Sequence, residues 1–125
     1  MICGIGADII EIERIKNAVA RSAFQKRVFT DREILLCKGK ADFYAALAIR
    51  FAAKEAVLKA LGTGLRGCKW IDIEVLSGAD GRPEVVLSGG AQKTAERMGV
   101  IKILISLSHS RENAIAFCVA EGGEK

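Results

Sequence analysis

The sequence is short of the residues on which many small-protein chemistries depend. It has one histidine, His109, and four cysteines, Cys3, Cys37, Cys68 and Cys118, with no C-x-x-C pair and none of them close to the histidine. That excludes the ligand spacing of a structural zinc site, and the thiols read as reduced and mostly in the core. There is one proline, one tryptophan and one tyrosine, and aromatic residues make up only 6% of the chain. No basic segment precedes the first apolar run, and Asp8 interrupts that run before it reaches signal-peptide or membrane-spanning length. A cytoplasmic protein without a membrane partner is expected. No repeat, linker or low-complexity stretch divides the chain.

What is present is a 125-residue chain that is 50% hydrophobic and 27% charged, enough for one core and one domain over residues 1–125. A mean hydropathy of +0.24 is more than so short a chain can hide, which predicts self-association. The net charge of +4 is unevenly spread, because residues 14–40 hold eight Lys/Arg against only Asp31 and Glu33. A concentrated cationic face suggests an acidic partner.

Ile2 to Ile10 reads as an apolar strand with Gly4 and Gly6 allowing close backbone approach, and Glu11 to Ser22 as a helix through Ile12, Ile15 and Val19. Thr30-Asp31-Arg32-Glu33 has the form of a capping box, opening a helix that ends by Gly39. Asp42 to Leu61 is the longest helix, stopped by Gly62-Thr63-Gly64. Alternation at Ile71, Ile73 and Val75 and a turn at Asp80-Gly81-Arg82-Pro83 before Glu84 to Leu87 predict a hairpin. A helix over 89–98 and strands over 101–107 and 114–120 complete an α+β fold, with a largely antiparallel sheet around a long central helix.

That helix carries the chemistry. From Leu47 to Leu61 apolar side chains go all the way round, interrupted by Arg50, Lys54, Glu55 and Lys59. Buried charge without a partner costs several kcal/mol per ion by general estimates, so three cations around one carboxylate call for mutual pairing or an anionic ligand such as a polyphosphate. The alternative for Glu55 and Lys59 is an ordinary i, i+4 pair worth about 0.2–0.5 kcal/mol. Asp8, in an apolar strand, is either a helix cap or the second carboxylate of a site. Mg²⁺ binds through one or two carboxylates plus substrate phosphates, so Asp8 and Glu55 suffice if the fold joins them.

Two segments carry a resemblance. Gly4-Ile5-Gly6-Ala7-Asp8-Ile9 is similar to the G-I-G-x-D-I opening, and Phe51-Ala52-Ala53-Lys54-Glu55-Ala56-Val57-Leu58-Lys59 to the F-x-x-K-E-A-x-x-K signature, of the bacterial holo-acyl-carrier-protein synthase family of 4′-phosphopantetheinyl transferases. Gly81-Arg82-Pro83 and Ser106 to Ser110 resemble later family segments. The resemblance implies a Mg²⁺-dependent transfer of 4′-phosphopantetheine from coenzyme A to a serine of an acyl carrier protein, in fatty acid biosynthesis. It makes Asp8 and Glu55 the metal ligands and Lys59 a contact to the coenzyme A pyrophosphate. Arg50 and His109 become candidates for the adenosine 3′-phosphate, with Lys54 a weaker addition. It also implies a homotrimer with its active sites between neighbouring subunits. The serine's proton would pass to Glu55 or to a water on the metal. For an acidic carrier protein the expected dock is Arg14 and Arg21, spaced i, i+7 on one helix face, with Phe24 and Lys26 following.

Three other signals are set aside. Gly62-Thr63-Gly64-Leu65-Arg66-Gly67 spells G-x-G-x-x-G but follows a helix and precedes a strand, the reverse of a dinucleotide site. It reads as a helix stop whose amides, Gly62 included, approach phosphate. Serines beside His109 lack the G-x-S-x-G turn of a hydrolase. A pI near 9.0 fits nucleic-acid binding, which needs exposed aromatics among the cations. Only Phe24, Phe29, Phe43 and Tyr44 lie near the basic stretch, and no nucleic-acid partner is expected.

Overall fold

The computed structural model describes residues 1–123. The elements run β1 (Ile2–Glu11), α1 (Ile12–Val19), α2 (Ser22–Val28), α3 (Asp31–Lys38), α4 (Phe43–Leu61), a 3-10 turn (Trp70–Asp72), β2 (Ile73–Ser77), β3 (Pro83–Leu87), α5 (Gly89–Met98), β4 (Val100–His109) and β5 (Asn113–Gly122). They form an α+β arrangement with two antiparallel sheets, one of three strands in the order β1-β5-β4 and one hairpin of β2 and β3. Among the described residues no helix is long and apolar enough to cross a membrane.

The position of α4 is set by small residues. Ala114, Ala116, Cys118 and Ala120 alternate along β5 as its buried face, and Gly4 and Gly6 take the matching face of β1. A Cβ on Gly4 would stand 2.0 Å from the carbonyl oxygen of Ala60, and one on Gly6 would stand 2.0 Å from that of Ala56. The helix therefore lies directly on the strand backbone, at a distance only glycine permits. Seven alanines of α4 are buried with Leu47, Val57, Leu58 and Leu61, so the helix is enclosed nearly all round, as its wheel predicts.

The local signals explain the helix ends. Thr30 and Glu33 complete the capping box, with Glu33 N donating to Thr30 Oγ1 at 3.2 Å and Thr30 N to Glu33 Oε1 at 3.0 Å. Asp42 caps α4 by accepting from Ala45 N at 3.0 Å, and Gly62 ends it at φ +77°, a left-handed turn that costs other residues dearly. Two expectations need correcting. The helix from Glu11 to Ser22 is two helices, because Arg21 is extended and the chain restarts at Ser22 so that Phe24 and Val28 turn inward. Ile71 lies in the 3-10 turn, where Asp72 accepts from Lys69 N at 2.9 Å and Gly90 N at 3.2 Å, and β2 begins only at Ile73.

Candidate active site

Gly4, Gly6 and Asp8 share one face of β1, since side chains alternate along a strand. The chain of β1 advances as α4 recedes: Gly4 lies under Ala60 and Gly6 under Ala56. The next residue of that row, Asp8, thus arrives beside the turn of α4 that carries Glu55. Lys59 folds back across the same gap, its Nζ donating to the Ala7 carbonyl at 2.9 Å and to Asp8 Oδ1 at 3.2 Å. The side chain of Asp8 is 16% exposed and that of Lys59 is 53% exposed, so the pair sits at the rim of the protein, open on one side.

Glu55 is half-buried next to them. Burial, and then the negative charge of Asp8, push its carboxyl above the ordinary glutamate range, while Lys59 pulls it back. A buried carboxylate whose ionisation is further disfavoured by a second carboxylate nearby is the donor set that a hard divalent cation stabilises. Among the described residues no group of three or more His, Cys, Asp and Glu side chains gathers, so a cation here would have further coordination positions for water and substrate oxygen. The donor chemistry fits Mg²⁺.

The folded chain holds the Glu55 proton more tightly than the unfolded chain does. Stability of the metal-free protein should therefore fall as pH rises from the ordinary glutamate range through the folded value for Glu55. Glu55→Gln removes that component. The thermal midpoint of the variant, minus that of the wild type, should widen across this interval and be level on either side. A difference that is constant with pH would contradict the crowding of the two carboxylates.

Glu55 and Lys59 line a cleft of about 510 Å³ together with Leu58, Gly62, Gly64, Leu65 and Trp70. The Gly62 amide is not open to a phosphate, because it donates to the carbonyls of Leu58 and Lys59 at 2.9 and 3.2 Å. Gly62 contributes to the cleft by lacking a side chain there. Leu65 and Trp70 escaped the sequence reading, and the lone tryptophan, set just past a glycine-rich loop, was the available signal.

Lys54 is not in this cleft. It is fully buried on another side of α4 and pairs with Glu33 at 2.8 Å. Burial lowers its pKa and Glu33 partly restores it. The expectation that Lys54 contacts coenzyme A is corrected on that ground, since no part of it reaches solvent. Arg50, 7% exposed, donates from Nε to the Val75 carbonyl and from Nη1 to the Ala46 carbonyl, both at 3.2 Å. So the three cations do not surround Glu55, and only Lys59 does.

Arg50 lines a separate cavity of about 720 Å³, with His109, Arg82, Lys40 and Ser106 on its walls. Arg50 and His109 thus line one cavity, but in one chain this cavity and the Glu55 cleft have no lining residue in common. At the basic end of the chain, Arg14, Arg21 and Lys26 are exposed. Arg14 and Arg21 do not share a helix face, because the break at Arg21 separates them. Phe24 is half-buried, its ring tilted 37° to that of Phe51 at 6.2 Å between centroids.

With this geometry in view, known proteins give a consistent comparison. The sequence pattern of the 4′-phosphopantetheinyl transferase superfamily matches residues 4–118. A holo-[acyl-carrier-protein] synthase of Clostridium tetani is 53% identical over 124 residues, covering 98% of each chain. The crystal structure of the Neisseria meningitidis holo-[acyl-carrier-protein] synthase is similar with a TM-score of 0.87 at 38% identity, over 97% of this chain and 99% of that one. The Bacillus anthracis holo-(acyl-carrier-protein) synthase, solved in complex with CoA (3′,5′-ADP), is similar with a TM-score of 0.81 at 37% identity, over 98% and 99%.

Proposed function

The chain belongs to the 4′-phosphopantetheinyl transferase superfamily, and from that premise we propose how its own residues carry 4′-phosphopantetheine from coenzyme A to a serine of an apo-acyl carrier protein. The observation that carries this reading is the meeting of Asp8 with Glu55 and Lys59, the last two of which line one open cleft.

Asp8 and Glu55 are the residues to hold Mg²⁺. Bound there, the ion supplies Lewis-acid neutralisation of the diphosphate's negative charge. Lys59 adds an ammonium: two of its three protons are engaged by Ala7 and Asp8, and the third is free for a phosphate oxygen. The serine hydroxyl forms its bond to the β-phosphorus of coenzyme A as the bond to the departing adenosine 3′,5′-bisphosphate breaks. Glu55, placed beside the attacking hydroxyl, takes the serine's proton. The rest is positioning of two substrates.

Arg50 and His109 are assigned to the adenosine 3′-phosphate, in the cavity they share with Arg82. Since that cavity and the Glu55 cleft are apart within one chain, each active site takes Arg50 and His109 from one copy and Glu55 from a neighbour, in a homotrimer. The outer face of the three-stranded sheet supports this: Ile5, Ile9, Leu104 and Phe117 are exposed at 70%, 60%, 42% and 56%. They lie in one patch, because Val119 of β5 pairs with both Ile5 and Leu104, and Phe117 stands between Ala7 and Ser106. Exposed Arg14, Arg21 and Lys26, with Phe24 behind them, are the dock for an acidic carrier protein.

Incubation with coenzyme A, Mg²⁺ and an apo-acyl carrier protein should add one phosphopantetheine mass to the carrier. Excess EDTA should stop the addition and restored Mg²⁺ should revive it. A carrier that gains no mass, or gains it undiminished in EDTA, refutes the assignment.

A further inference from the structure

Lys54 is next to Glu55 in the chain but faces the opposite way, and its three protons are all spent inside the protein. Nζ donates to Glu33 Oε1 at 2.8 Å, to the Trp70 carbonyl at 3.2 Å and to the Ile73 carbonyl. Glu33 passes the tie onward, accepting from Thr30 N at 3.0 Å and from Val75 N at 2.9 Å. A buried ion pair is a poor stabiliser, and an apolar pair of similar volume often does as well. What an apolar residue cannot do is bind two carbonyls of the strand-entry turn from within the catalytic helix.

The turn needs such a tie. Residues 62–69 include no buried residue, and neither does the Trp70–Asp72 turn that ends them. Yet Trp70 and Leu65 together form the wall between the Glu55–Lys59 cleft and a second cavity of about 510 Å³ lined by Lys26, Arg27, Cys68, Lys69 and Ile71. The Trp70 ring stacks on Phe51 of α4 at 5.1 Å and 30°. Its main chain is held to the same helix by Lys54.

We propose that Lys54 is a positioning residue for phosphopantetheine transfer: by gripping the Trp70 and Ile73 carbonyls from inside α4, it sets the Trp70 wall that orients coenzyme A beside Glu55 and Lys59. The inference rests on the reading that the Glu55 cleft is where transfer occurs. It assigns Lys54 no contact with substrate. Its effect runs through Trp70.

The test uses the full chain with Lys54→Met and Glu33→Gln combined, so that no lone buried charge remains; glutamine still completes the capping box. Trp70 is the only tryptophan, so fluorescence reports on it alone. The expected result is a variant with wild-type circular dichroism, red-shifted Trp70 emission and stronger acrylamide quenching. Its kcat should fall about tenfold or more, the scale on which misplacement by an ångström acts, with KM for the carrier protein unchanged. Trp70→Ala should show the same kcat loss, and adding it to the paired variant should cause no further loss. Wild-type kcat in the paired variant overturns the proposal, and so does a kcat loss with Trp70 emission and quenching unchanged. If the paired variant does not fold, Trp70→Ala decides, and full kcat there overturns it. An inactive wild type would instead sink the reading of the cleft itself, an outcome separable from these.

Discussion

Glu55→Gln is expected to lower phosphopantetheine transfer by about 10²–10³-fold, the usual effect of removing one group that stabilises charge in a transition state, while leaving the fold intact. The two halves of this expectation have separate causes. Among the described residues the Glu55 side chain makes no hydrogen bond or ion pair, and its ionised form is disfavoured by burial and by Asp8. Glutamine has the same size and removes that repulsion, so the melting midpoint should stay level or rise. On the proposed assignment the loss of activity comes from the site: with one carboxylate, a bound cation would lose a ligand and the serine would lose its base. A factor of 10²–10³ corresponds to roughly 3–4 kcal/mol of transition-state stabilisation. Mass spectrometry of the carrier protein against time measures it, and a rate within a few-fold of wild type would remove Glu55 from the mechanism. The same variant tests the shared site. Mixed with His109→Ala and reassembled, it should regain activity if the proposed homotrimer holds, because some mixed clefts would then pair an intact Glu55 with an intact His109 from the neighbour. A mixture no more active than the average of its parts would confine each site to one chain.

Which parts of this were legible in the sequence follows from how local each cause is. The capping box at Thr30 and Glu33, the glycine stop of the long helix and the hairpin turn all act within a few residues, and each stands where the pattern put it. Asp8 and Glu55 are far apart in the chain, and spacing alone offered a helix cap for one and a surface pair for the other; their joining depended on the family motif. The structure supplies the reason, in the row Gly4, Gly6, Asp8 lying along α4. The errors came from long-range partners. A helical wheel places Lys54 near Glu55 and Lys59 but is blind to Glu33, which stands 21 residues earlier and takes Lys54 into the core. The wheel likewise groups Arg50 with Glu55, whereas two main-chain carbonyls accept from it and it lines a different cavity. Arg14 and Arg21 fit an unbroken helix on paper, and the break at Arg21 follows from the need to turn Phe24 and Val28 inward, a tertiary demand that apolar spacing did not reveal.

Gly6→Ala should be a damaging addition of a single methyl group, because it wedges β1 off the long helix. The added Cβ would stand 2.0 Å from the Ala56 oxygen, 2.9 Å from the Ala60 nitrogen and 3.0 Å from the Ala56 carbonyl carbon. These are main-chain atoms in the middle of α4, which cannot swing aside as a side-chain tip can. Relief requires the helix to lift off β1 as a body, with all its buried alanines. Overpacking of ordinary cores costs about 1–3 kcal/mol and occasionally more, and a rigid backbone obstacle belongs at the upper end, enough to lower the melting midpoint by on the order of 10 °C in a chain of this length. Gly39→Ala is the control, since its Cβ meets only the Leu36 oxygen at 3.5 Å, an ordinary contact, with φ −83°; it should be neutral or slightly stabilising. Whatever fraction of Gly6→Ala folds should also transfer poorly. Lifting α4 draws Lys59 away from the Ala7 carbonyl and Glu55 away from Asp8, so the closeness that shapes the core is also what assembles the site. A Gly6→Ala protein that melts with the wild type and transfers at its rate would mean that β1 and α4 are not in contact there, and the convergence of the two carboxylates would have no structural basis.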